Sequence, residues 1–148
     1  MTSKVHSLET GLGQAALCAS LLLLPLVTGV ACAPKSTKTL AVTDEITTAA
    51  THAGIAAKST TIDAVHKHMH HALNCLVGPD GEGFDPDALN PCKEMGHGGI
   101  ADASDPAQQK QLESVADTLR AGLKDDVLAS ARDTAAAAEA ALIKAVTK

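Results

Sequence analysis

The sequence predicts an all-α fold, a small up-and-down helical bundle made of two helical hairpins, and three observations predict it. Apolar residues recur at 3.6-residue spacing in separate stretches. Capping residues stand at the head of those stretches. One segment dense in glycine, proline, aspartate and asparagine divides them into two halves. The 148 residues make one ordinary domain, and with one Phe, no Tyr and no Trp the interior must be filled by alanine and a few larger aliphatics. Alanine lets helices approach closely, but such a chain has no aromatic rings around which to build a core.

The first element is an address. Residues 15–30 are almost wholly apolar, with Leu21, Leu22, Leu23 and Leu24 in a row behind a polar stretch that carries Lys4. Pro25 interrupts the run, which is short for a membrane span of roughly 20 apolar residues, so residues 1–31 are expected to be a secretory signal peptide. The run closes on Gly29-Val30-Ala31-Cys32, which resembles the lipobox of bacterial lipoproteins, where a signal peptidase cuts before an acylated cysteine. The resemblance implies lipidation at Cys32, a flexible tether over residues 32–42, and a periplasmic or membrane-surface location with the lipid as anchor. Ordinary signal-peptidase cleavage after Ala31 is the alternative, and either route exports the remaining 117 residues.

The helical domain is expected over residues 43–148. Its first helix spans Thr43 to about Ala53. Thr60, with Asp63 three residues on, forms a capping box that opens a second helix whose apolar face is Ile62, Val65, Met69, Leu73 and Leu76. A loop over residues 77–105 follows, rich in glycine and proline from Gly78-Pro79 to Gly98-Gly99. Ser104-Asp105-Pro106 then supplies a cap and a proline at the first helical position, leading to Leu112, Val115, Ala116 and Leu119. The last helix runs from Asp125, with Asp125 and Asp126 as caps, to about Val146. Its strip Ala135-Ala136-Ala137-Ala138 is expected to dock within the bundle rather than on another protomer. Ala53-Gly54-Ile55 and Ala121-Gly122-Leu123 hint at a repeated helix end, while the alternative makes each hairpin one long helix with its glycine inside.

Export gives the cysteines their meaning. Cys18 leaves with the signal and Cys32 belongs to the cleavage site, so Cys75 and Cys92 remain as an isolated pair that oxidising conditions join. Closing the sixteen-residue loop between them stabilises by about 3 kcal/mol in the chain-entropy model.

Six histidines belong to the exported chain, four of them in the run His66-Lys67-His68-Met69-His70-His71. On a helix the run splits into two sets. His66 and His70 lie one turn apart with Asp63 three residues before them, and this stripe is the best-supported ligand set. His68 and His71 form the second set. Cys75 completes it only as a thiolate, which the disulfide forbids. Imidazoles, with help from the thioethers of Met69 or Met95, suit copper, zinc or nickel rather than calcium or magnesium. One helix supplies only two or three ligands. The rest must come from a neighbouring helix, from His52, from the loop residue His97, from water or from a second molecule, and His52 can come close only if a hairpin separates it from His66.

Other functions have less to stand on. The net charge of −5 and the missing aromatics exclude an electrostatic or stacking surface for nucleic acid. The acidic loop does not fit an EF-hand, because Phe84 and Leu89 fall where oxygen ligands are required. No nucleophile elbow, phosphate-binding glycine loop or His-Glu-x-x-His pattern occurs, so no enzyme is expected. Haem has neither an attachment motif nor an aromatic lining. The helical parts loosely resemble small His-rich periplasmic metal-binding bundle proteins, which implies sequestration or buffering of a transition metal with affinity falling below about pH 6. The competing reading is a structural or adaptor lipoprotein that meets an envelope partner and leaves its histidines unliganded.

Overall fold

The computed structural model describes residues 37–147, with side chains from residue 41, all within one compact unit, Ala33–Lys148. The expected signal peptide and the expected lipidation at Cys32 fall on residues outside those described. Five helices follow one another: α1 Thr37–Lys58, α2 Ile62–Val77, α3 Gly99–Asp102, α4 Pro106–Gly122 and α5 Leu128–Val146. The described residues contain no strand, and none of their helices is long and apolar enough to cross a membrane.

Local chemistry sets most boundaries. Thr61 caps α2 by accepting a hydrogen bond from the Ala64 N–H at 3.3 Å. The cap is therefore one residue beyond the expected Thr60, because Thr61 is the residue with extended backbone. Asp105 caps α4 through the Ala107 N–H at 2.9 Å, with Pro106 at the first helical position as expected. Asp125 does not cap α5 directly. Its carboxylate accepts from the Val127 N–H at 2.9 Å and so shapes the turn before Leu128.

α5 starts at Leu128 rather than at Asp125, and other boundaries also differ from the sequence reading. α1 begins at Thr37, inside the segment expected to be a tether, since no helix breaker follows Pro34 until Gly54. It also runs through Gly54 to Lys58. Gly54 is there for a close approach, since a Cβ on it would press on the Glu139 carboxylate of α5. Within the expected loop 77–105, Val77 belongs to α2 and residues 99–102 form the single turn of α3.

α1 packs on α2 and α5, and α4 packs on α2 and α5, which closes a four-helix ring. Neighbours run antiparallel: Gln108 and Gln111 near the start of α4 donate to the Ala145 and Ala141 carbonyls near the end of α5. Arg132 near the start of α5 donates to the Ala57 carbonyl near the end of α1 at 2.8 Å. The α1–α5 seam is built from small residues. Val42, Ile46, Ala49, Ala53 and Ala56 on α1, and Ala131, Ala135, Ala138, Leu142 and Ala145 on α5, are all buried at alternating four- and three-residue steps. That spacing keeps one stripe facing its partner along the whole length. The alanine strip thus docks within its own chain. Leu73, Leu76, Leu112 and Leu119 supply the larger volume between α2 and α4.

The segment between α2 and α3 is pinned at several places. Cys75 and Cys92 form a disulfide with Cα atoms 5.2 Å apart. The fully buried Asn74 donates to the Asp85 carbonyl and accepts from the Asp85 N–H, both at 2.9 Å, pairing with the loop as a strand would. Arg120 of α4 donates to the Glu82 carbonyl at 2.7 Å. At the neck of the loop Gly78 (φ +66°) and Gly98 (φ +111°) touch backbone to backbone, leaving no space for a side chain on either.

Candidate metal centre

The hairpin α1–α2 places two stripes face to face. On α1 the stripe is Glu45, Thr48 and His52; on α2 it is His68, His71 and Cys75. Each has i, i+3, i+7 spacing and therefore lies along one side of its helix. Because the helices are antiparallel, His52 meets His68 and His71. The Nδ1 atoms of His52 and His68 stand 3.2 Å apart. Their rings stack at 22° with centroids 5.5 Å apart, while His71 meets both edge-on at 5.0 and 5.2 Å. One ligand atom from each of the three lies within 4.8 Å of the others, and among the described residues these three form the group able to hold a metal ion.

The spacing suits a metal. Two nitrogens bound to a tetrahedral zinc at 2.0–2.1 Å stand about 3.3 Å from each other, close to the His52–His68 separation. The protonation state suits it too. His71 is 3% exposed, and its Nδ1 is buried without a hydrogen-bond partner. Burial first, then the neighbouring charges of His52, His68, Lys67 and His70, push its pKa down to about 4. His52 is also lowered, by burial and then His68; His68 is lowered by burial and then Lys67. All three imidazoles are held neutral, the form that ligates, and cannot readily take up protons together.

The other expected ligands go elsewhere. His66 and His70 share a stripe, but on another side of α2, and they part company. His66 Nε2 lies 3.0 Å from the Asp125 carbonyl in the α4–α5 turn, and His70 Nδ1 lies 3.4 Å from the Asp85 carboxylate in the loop. These contacts fasten the turn and the loop to α2. Asp63 stays exposed in the first turn of α2, where its charge complements the helix dipole. The disulfide takes Cys75 out of the second set, and His52 stands in its place. His97 faces Asp102 at 3.3 Å with its side chain 86% exposed. Met69 is buried against Gly122, on the side of α2 toward α4 and α5, so its thioether belongs to the core.

Above the triad on the α1 stripe lies a second polar group. Glu45 is fully buried; one carboxylate oxygen accepts from the Gly98 N–H at 3.0 Å and the other has no partner. Burial outweighs the Gly98 hydrogen bond and, with the nearby Asp102 carboxylate, raises its pKa from 4.5 to about 6. Asp102 in turn accepts from the His97 N–H at 2.8 Å.

No known protein family matches the chain, and no curated protein or solved structure is significantly similar to it.

Proposed function

We propose that the protein binds a transition-metal ion on His52, His68 and His71 and buffers or sequesters it without turnover. We further propose that it works outside the cytoplasm, as an exported lipoprotein anchored at Cys32. The convergence of three neutral imidazoles from two helices carries the metal reading. The apolar run ending at Cys32 and the Cys75–Cys92 pair, a bond that persists in oxidising compartments, support the location.

Thermal unfolding of the purified protein with and without zinc tests the reading. At a hundredfold excess over its dissociation constant, one bound ion stabilises the fold by about 2.7 kcal/mol, a rise in melting temperature of about 10 °C for a domain of this size. His52→Ala and His68→Ala, both at partly exposed positions, abolish the rise, while a His66→Ala/His70→Ala double variant keeps it. A rise that survives His68→Ala and vanishes in the His66/His70 variant would move the site to the other stripe. No shift with zinc, copper or nickel ends the metal reading.

A further inference from the structure

We infer that Met95 is the fourth ligand of the metal centre and that its thioether makes the site one for cuprous copper. The inference rests on the proposed His52/His68/His71 centre and names the ion that centre takes.

Met95 is placed by the two stripes that build the triad. The loop runs back along the α1 stripe in step with it. Gly98 donates to Glu45, and three residues away on each segment the Thr48 hydroxyl donates to Met95 Sδ at 3.8 Å. The next member of the stripe, four residues on, is His52. The α2 stripe leads to the same place, because Cys75, one turn beyond His71, is bonded to Cys92, three residues before Met95. Met95 is thus bracketed by the disulfide on one side and the imidazoles on the other.

Side chains on a helix lean toward its N-terminus, so His52 leans toward the turn that carries Thr48, and residues at i and i+4 have Cβ atoms about 5–6 Å apart. A methionine side chain with three rotatable bonds spans that distance. To do so Met95 gives up the long Thr48 hydrogen bond at 3.8 Å. It is an apolar residue left 38% exposed, on a segment held from both ends by Cys92 and by the His97 and Gly98 N–H groups. The three imidazoles by themselves leave a fourth tetrahedral position open.

The donor chemistry selects the ion. Three imidazoles and a thioether are all neutral, so no ligand of the set itself offsets the cost of bringing the charge of the ion into a partly buried site. That cost rises steeply with ionic charge and favours a monovalent cation over a divalent one. Thioether sulfur is a soft donor that selects Cu(I), whereas zinc takes nitrogen, oxygen or thiolate.

Anaerobic competition of the protein with a chromophoric Cu(I) chelator, beside a parallel zinc titration, tests this. Met95→Leu is expected to weaken Cu(I) binding by at least about tenfold and to change zinc binding by less than about threefold, while His68→Ala loses both. In protein labelled with 13C at the methionine methyls, the Met95 resonance shifts on adding Cu(I) and stays in place with zinc. If Met95→Leu leaves Cu(I) affinity unchanged, or the Met95 methyl does not move while the ion binds, Met95 is not a ligand, and the three-histidine centre survives. If the protein takes up neither ion, the centre and the inference fall together. Met95→Leu keeps the residue's volume at an exposed position, so loss of folding does not confuse the result.

Discussion

Two buried side chains on the α1–α2 face pull the stability of the protein in opposite directions with pH. His71 titrates at about 4 in the fold against an ordinary 6.5, so as acid is added the unfolded chain takes its proton first and stability falls between pH 6.5 and 4. Glu45 titrates at about 6 against an ordinary 4.5. The unfolded chain releases that proton first, so stability falls as pH rises from 4.5 to 6 and stays lower above. Glu45→Gln removes the second effect, keeps an acceptor for the Gly98 N–H and offers a donor toward Asp102. We expect the variant to be more stable than the parent by on the order of 2 kcal/mol at pH 7, with the gain disappearing at pH 4. Denaturant melts of both proteins across this range check it, and a gain that does not vary with pH would assign Glu45 an ordinary pKa. The same burial that depresses His71 predicts that the proposed metal binding persists further into acid than the pH 6 limit expected from unperturbed histidines.

At the scale of elements, the glycines divide into those a fold demands and those it tolerates. Gly98 has φ of +111°, and a Cβ there would strike the backbone of Gly78, so Gly98→Ala is expected to cost upwards of about 2 kcal/mol and to loosen the loop neck. Gly54 is helical and meets only the end of the flexible Glu139 side chain. Gly54→Ala is therefore expected to stay within about 1 kcal/mol of neutral, because the helix propensity gained offsets the displacement of Glu139. Chemical denaturation of the two variants, with proteolysis of the loop as a second readout, separates these cases. Sequence signals worked where the chemistry is local. Asp105-Pro106 marks the start of α4, and the apolar face of α2 from Val65 to Leu76 is buried as expected. They misplaced the end of α1, because a glycine tolerated inside a helix looks the same in the sequence as one that stops a helix.

For the whole molecule, class and topology were legible and the candidate metal centre only in part. The two hairpins and the disulfide follow from periodicity, turn residues and cysteine count, all of which act over short stretches of chain. The triad depends on the register of α1 against α2: the capping residues between His52 and His68 announce a hairpin, but nothing in the sixteen-residue separation says which faces of the two helices meet. His66 and His70 carry the same local signature as His68 and His71, yet only packing decides that one pair faces a carbonyl and a carboxylate and the other a third imidazole. His52 was therefore visible in the sequence as a conditional ligand, but the side of the bundle on which it meets α2 was not.

The alanine seam has a consequence for how the chain may be cut. α1 and α5 lie antiparallel along it, so Thr37 and Val146 finish at the same end of the bundle, and a short glycine-serine bridge can join them. A circular permutant opened between Ser59 and Thr61 would then begin with the helix of His68 and His71 and end with that of His52. Since packing rather than covalent order assembles the three rings, such a permutant should fold and show the same zinc-dependent rise in melting temperature as the parent. A folded permutant without that rise would mean that the short turn after Lys58, and not the seam, sets the register of the two helices.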